Sequence, residues 1–437
     1  MLLHYLDLSW RSFKRTPLVS MLMVLAIAIG IGVTMTSLSV YHMMSADPIP
    51  AKSSQLYAVQ LQTMDEGRTW WKYDNMPLQL TYQDAVNLLN APVKTKKVAM
   101  VRSGFSVHLN SDTLKPFIGG ARLTTPDFFD MFNVPFIYGG VWTQQQEKTA
   151  APVVVLSEKI NDKLFAGENS VGKMIYLDDL SYEVIGVIAD WQLTTKYYDL
   201  NNGAFNDTEE LFMPFSLLEA NELNNWGNTN GWKHEITHTF KDKLQSEMFW
   251  IQFWVQLPDE KVKNEYQNYL LAYMQDQQKN GRFNRKELQY TLRDVKQWMA
   301  YNEVVSEDNK ILVALSFMFL AVCLANILGL LLAKFLRRAP EIGVRRALGA
   351  SKRQIFLQHL VEVAMLGCFG GLLGIVIAQI GLLGVRQSYD YYSSLATMDL
   401  TMLISAPLIA ITTCILAGLY PAWLVCRTNP AIYLKSQ

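Results

Sequence analysis

Four apolar runs constrain this chain more than any other feature. Residues 18–41, 311–335, 355–385 and 401–424 are almost unbroken in hydrophobic character. Each is long enough, at ~1.5 Å per residue, for a helix to cross ~30 Å of hydrocarbon. Residues 42–309, between the first and second runs, are polar enough to fold in water. The predicted fold class is therefore an α/β membrane protein with four transmembrane helices and a large extracytoplasmic α+β domain inserted between helices 1 and 2. With 50% hydrophobic residues, the chain is too apolar for an ordinary soluble enzyme. A formal net charge of zero gives no basic bias toward nucleic acid. Cys323, Cys368, Cys414 and Cys426 all lie in or beside apolar runs, which leaves the inserted domain without a disulfide framework or a C-x-x-C metal pattern.

The loop 336–354 carries Arg337, Arg338, Arg345 and Arg346, then Lys352 and Arg353, against the single acid Glu341. Lysine and arginine resist translocation, so a short basic loop between spans is expected inside. Four spans then place both termini in the cytoplasm. Ile342, Arg345, Arg346 and Gly349 fall at helical spacing and predict a short amphipathic helix, with Pro340 in its first turn and Gly349 at its end. Residues 1–17 predict a helix lying in the membrane surface, with an apolar stripe of Leu2, Leu3, Leu6, Trp10 and Phe13. The first span is too long for an ordinary signal-peptide core and is expected to remain as an anchor.

Small residues recur inside the spans. Gly30 and Gly32 each begin a small-xxx-small pair that allows close helix approach, in packing or in a dimer seam. Gly367, Gly371 and Gly374 are expected to face one way on the third span. Glu362, in the same span, is a costly intramembrane carboxylate whose ordinary role is interhelical hydrogen bonding.

In the inserted domain, strand 55–62, helix 81–90 and strand 97–109 form one strand–helix–strand pattern. Strand 249–257, helix 259–278 and strand 287–292 form another. They suggest a split α/β part, 52–124 with 249–300, around a β-rich insert at about 125–248. Residues 293–310 are polar and helix-compatible, and predict a stalk helix running straight into the second span. Two enzyme-like phrases also occur. GENSVGK (167–173) nearly completes a phosphate-binding loop, but Met174 replaces the magnesium-binding hydroxyl and no strand feeds it. HEITH (234–238) satisfies a zinc-protease pattern, but its β-branched setting favours extended chain over the helix that the chemistry needs. GENSVGK is moreover expected outside the cytoplasm, where ATP is absent, and chance occurrence on a domain surface is the preferred reading of HEITH.

The phrase EIGVRRALGASKRQIFLQHLVEVAMLGCFGGLLG resembles the signature of the FtsX-like permease family of ABC transporters. TPDFFDMFNVPFIYGG, VVVLSEKINDKLF and SVGKMIYLDDLSYEVIGVI resemble the MacB-like periplasmic core, and the tail YPAWLVCRTNPAIYLK resembles the family's closing phrase. The resemblance implies an inner-membrane permease of the mechanotransmitting type, without a fused ATPase and not itself an enzyme. ATP and magnesium would be bound by a cytoplasmic partner ATPase, and the chain would work with a second permease chain, identical or related. Export of amphiphiles such as peptides or antibiotics through a periplasmic adaptor and an outer-membrane channel follows as the expectation, with membrane lipid around the spans. Lipoprotein extraction, signalling to cell-wall hydrolases and, least favoured, a zinc protease are the alternatives. The resemblance makes 336–354 a coupling loop, with Glu341, Ile342, Gly343, Val344, Arg345, Arg346, Leu348 and Gly349 meeting the ATPase. Its apolar side is expected to enter a cleft on that partner. Residues 386–400 become an outer loop and 425–437 a cytoplasmic tail.

Overall fold

The computed structural model describes residues 2–110, 114–388, 398 and 400–427. Most of the expected outer loop 386–400 and of the tail 425–437 lies outside the described residues. Two compact units emerge: Met1–Ala46 joined to Val305–Gln437, and Asp47–Val304.

Helices α1 (Leu2–Arg15) and α2 (Pro17–Ser45) open the first unit. The second unit follows as β1 (Leu56–Leu61), α3 (Tyr82–Leu89), β2 (Lys97–His108), β3 (Phe117–Thr124), α4 (Asp127–Met131), β4 (Phe136–Gly139), α5 (Gln144–Lys148) and β5 (Val153–Ser157). It continues through α6 (Glu158–Phe165), β6 (Met174–Leu177), β7 (Leu180–Ile188), a 3-10 turn (Tyr197–Asn202), β8 (Leu211–Pro214), α7 (Leu217–Ala220) and α8 (Phe240–Gln245). It closes with β9 (Gln252–Gln256), α9 (Glu260–Lys279), β10 (Tyr290–Asp294) and α10 (Val295–Tyr301). The first unit resumes with α11 (Glu307–Arg337), α12 (Ala339–Ala347), α13 (Lys352–Ser388) and α14 (Leu400–Arg427).

Alternation along the strands builds the second unit. Successive side chains point to opposite faces, and both faces are covered, which is why β1 is buried at every position. Tyr57, Val59 and Leu61 enter one core with Leu88, Leu270 and Met274 from α3 and α9. Leu56 and Ala58 enter the other with Phe128 and Phe129 from α4 and Trp298 from α10. Among the described residues a single sheet runs β10-β1-β9-β2-β3-β8-β5-β7-β4, with β6 paired to β2 and β7. The strands of the two strand–helix–strand patterns interleave at one end, in the order β10-β1-β9-β2. The expected β-rich insert is an extension of the same sheet, joined through the parallel β3–β8 pair and the short β2–β6 pair. A charged core pins the 3-10 turn: Arg122 on β3 bonds Asp199 and Glu209, Lys196 also pairs with Glu209, and Tyr198 donates to Glu209 at 2.8 Å.

The stalk expectation is corrected. Residues 293–310 form two helices, not one. Asp294 caps α10 through a reciprocal bond with Gln297. Asn302 ends α10, Glu303 adopts φ +54°, and Ser306 starts α11 by accepting from the Asn309 N–H. Cap residues override the helical tendency of the segment.

Among the described residues, four helices are long and apolar enough to cross a membrane: α2, α11, α13 and α14. Glycines set their packing. A Cβ on Gly30 would lie 2.9 Å from Leu320 on α11, and one on Gly32 would strike Ile377 on α13. Gly367 and Gly371 lie against α14, where an added Cβ would come 2.8 Å from the Cα of Ile411 and of Pro407 respectively. Gly374 instead lies against Ile31 of α2. The three glycines lie within ~60° of one another around α13, as expected of one face, but two neighbours share that face: Gly367 and Gly371 meet α14 and Gly374 meets α2. The small faces of α2 at Gly30 and Gly32 pack against this chain's own α11 and α13, the packing alternative of the two. On α1, Ser9 and Ser12 are the buried positions, while Leu3 and Trp10 of the apolar stripe are exposed.

Candidate functional site

Helix α12 and its connections form the candidate site. Arg338 serves as both the end of α11 and the start of α12, and Pro340 occupies the first turn, where a missing N–H is harmless. The helix stops at Gly349, whose φ of +103° suits a residue without a side chain. The Ala350 N–H then closes back on the Arg345 carbonyl at 3.0 Å. Ser351 and Gln354 start α13 with reciprocal side-chain-to-backbone bonds of 3.2 and 2.9 Å.

The faces of α12 are sharply different. Ala339, Ile342 and Gly343 are buried within the chain's own first unit, Ile342 being only 7% exposed. Val344 and Leu348 point outward at 47% and 83% exposure. Arg345 binds Glu341 at 2.7 Å one turn away and reaches Gln358 on α13 at 3.4 Å. Arg346 donates to the Cys426 carbonyl of α14 at 3.4 Å. Of the eight residues expected to meet a partner, Ile342 and Gly343 are thus turned inward. Helical geometry explains the split: positions 342 and 344 lie ~200° apart around the axis.

Behind α12 lies a buried charged network that the sequence revealed only at Glu362. Lys334 near the end of α11 pairs with Glu362 of α13 at 2.7 Å, with both side chains almost wholly buried. Ser12 of α1 donates to Glu362 and accepts from Arg338 at 2.6 Å. Lys334 also donates to Ser20 of α2 at 3.2 Å, and His359 Nδ1 lies 3.6 Å from Glu362. One carboxylate therefore ties together α1, α2, α11 and α13 and the start of α12. A lysine in the last turns of a span, opposite a carboxylate in the next, was the available signal for this pairing.

The two enzyme-like phrases do not assemble sites. Residues 234–238 are not helical, and Glu235 accepts the backbone N–H of Glu247 at 2.9 Å. GENSVGK lies between α6 and β6, in a turn where Gly167 and Gly172 take φ of +80° and +84°. A phosphate loop requires the opposite order, strand into helix.

Residues 20–273 match the MacB-like periplasmic core domain, and residues 313–430 match the FtsX-like permease C-terminal domain. A macrolide export ATP-binding/permease protein, MacB, of Syntrophobacter fumaroxidans is 24% identical over 82% of this chain and 53% of its own length. A pyoverdine export ATP-binding/permease protein, PvdT, of Pseudomonas aeruginosa is 26% identical over 83% of this chain and 48% of its own. The chain thus spans about half the length of these curated relatives. A crystal structure of the periplasmic region of MacB from Actinobacillus actinomycetemcomitans aligns with TM-score 0.37 and 14% identity, covering 57% of this chain and 92% of that one. With the core-domain match covering more than half of its residues, the chain belongs to the FtsX-like ABC transporter permeases that carry a MacB-like periplasmic core domain.

Proposed function

We propose that this chain couples ATP hydrolysis by a cytoplasmic ATPase to movement of the Asp47–Val304 unit on the far side of the inner membrane. The movement drives export of amphiphilic molecules, with a second permease chain, a periplasmic adaptor and an outer-membrane channel. Helix α12 is the docking element, and its arginines place it inside by the positive-inside rule. The observation that carries this reading is the outward pair Val344 and Leu348 on a helix whose opposite face is tied into the bundle. Such a helix can pass a push from a partner to α11 and α13 without unfolding. Export of amphiphiles follows from the relatives, which are named for macrolide and pyoverdine export.

The test is a Val344→Asp/Leu348→Asp variant, with the ATPase supplied as a separate polypeptide. Burying an anchor side chain is worth ~2 kcal/mol or more at an interface centre, so pull-down of the ATPase should fall at least tenfold while thermal stability of the permease stays unchanged. Undiminished binding would remove α12 as the docking element.

A further inference from the structure

A cavity of about 170 Å³ opens among α1, α12 and α13, wholly within the first unit. Arg11 and Arg15 of α1, Arg338, and Arg345 of α12 line it, with Glu341 as its one carboxylate. Leu8, Ile342 and Ile355 supply apolar wall. The charges do not balance. Asp7 meets Arg11 at 2.8 Å, Glu341 is shared between Arg345 at 2.7 Å and Arg15 at 3.4 Å, and Glu362 behind the wall is shared between Lys334 at 2.7 Å and Arg338 at 3.9 Å. Five cations thus face three carboxylates, a surplus of two positive charges.

We propose that this cavity holds the phosphate group of an anionic phospholipid from the leaflet on the α12 side. Arginine's planar fork suits a phosphate oxygen pair, and basic pockets between helices at that level are headgroup sites. The apolar wall gives the glycerol and upper acyl carbons a surface that free phosphate would leave unused. A zwitterionic headgroup would bring its own ammonium into a site already in cationic excess. The outward Leu3 and Trp10 of α1 place this helix against lipid, with Lys14 over the Trp10 ring at 5.8 Å. A bound lipid would hold α1 to α12 through Arg15 and Arg345, bracing the docking helix from the membrane side. The proposal concerns lipid binding by the permease alone and stands apart from the coupling reading.

The experiment purifies the full chain in mild detergent with equal added phosphatidylglycerol and phosphatidylcholine, and counts retained lipid by native mass spectrometry. About one phosphatidylglycerol per chain should survive, in at least fivefold preference over phosphatidylcholine. Arg15→Gln, on an exposed side chain that folding does not need, should lower retention severalfold, and Arg15→Gln/Arg345→Gln should abolish the preference. Arg353→Gln, exposed and away from the cavity, should retain lipid normally. Wild-type preference in both cavity variants overturns the proposal. So does displacement of the lipid by an equal concentration of inorganic phosphate, which would make the site one for the free ion. Stoichiometric displacement by the ATPase would likewise assign the cavity to the protein partner.

Discussion

Lys334 Nζ lies 2.7 Å from Glu362 Oε1, joining α11 to α13 inside the bundle with neither side chain open to solvent. Removing one partner of such a pair leaves an uncompensated buried charge, which typically costs ~3–5 kcal/mol, whereas replacing both by apolar groups is often near neutral. Lys334→Met should therefore lower the unfolding temperature in detergent markedly, and Lys334→Met/Glu362→Leu should recover part of the loss, since Ser12 and Arg338 also lose Glu362. Equal losses in the single and double variants would mean that the charge pairing is not what makes this position sensitive.

The second unit should be acid-sensitive through Glu209. Burial pushes its carboxyl up, but the adjacent Arg122 and Lys196 charges outweigh burial and hold it down to about 2. A depressed folded value gives stability that is complete above the unfolded value of about 4.5 and is lost as pH falls toward 2. Near-ultraviolet circular dichroism of the full chain should show tertiary structure weakening across that window. Glu209→Gln should be less stable at neutral pH and should show a shallower acid dependence. A variant with the wild-type acid profile would show that other groups dominate.

Glycine positions on the spans should differ by what they face. Gly367→Ala forces a methyl to within 2.8 Å of the Ile411 Cα and should cost roughly 1–3 kcal/mol by overpacking. Gly329→Ala meets nothing within 4 Å and should be neutral or stabilising by up to about 1 kcal/mol. Chemical unfolding of the two variants side by side measures the difference. Similar behaviour would mean that α13 and α14 are not in tight contact at Gly367.

Ile342→Asp should behave unlike Val344→Asp. Ile342 is buried in its own bundle, so the charge should lower thermal stability by an amount typical of burying an unpaired group, ~2 kcal/mol or more. Val344→Asp should leave the melting temperature alone and act only on the ATPase. A melting curve for each settles the assignment of faces on α12.

Topology is open to a direct check. A periplasm-active reporter fused after Asn110 should be active, and one fused after Ala350 should be silent, with a cytoplasm-active reporter giving the reverse. Activity of the periplasmic reporter at Ala350 would invert the placement of α12 and remove the docking proposal.

Much of this protein is readable from the chain itself, because period and length act locally. The four spans declare themselves by apolar length alone. Strand–helix–strand patterns at 55–109 and 249–292 show as alternation of two followed by helical period. Pro340 and Gly349 mark the ends of α12 by their own backbone restrictions. What the tertiary structure decided are the pairings between segments hundreds of residues apart. Glu362 could be singled out as costly and Lys334 stands in the last turns of the preceding span, but that the two meet, and that Ser12 of α1 joins them, depends on how the helices pack. The same holds for the two neighbours that share the glycine face of α13 and for the inward turn of Ile342. Each depends on which neighbour occupies a given side of a helix, and in a bundle every side is a candidate until the helices pack.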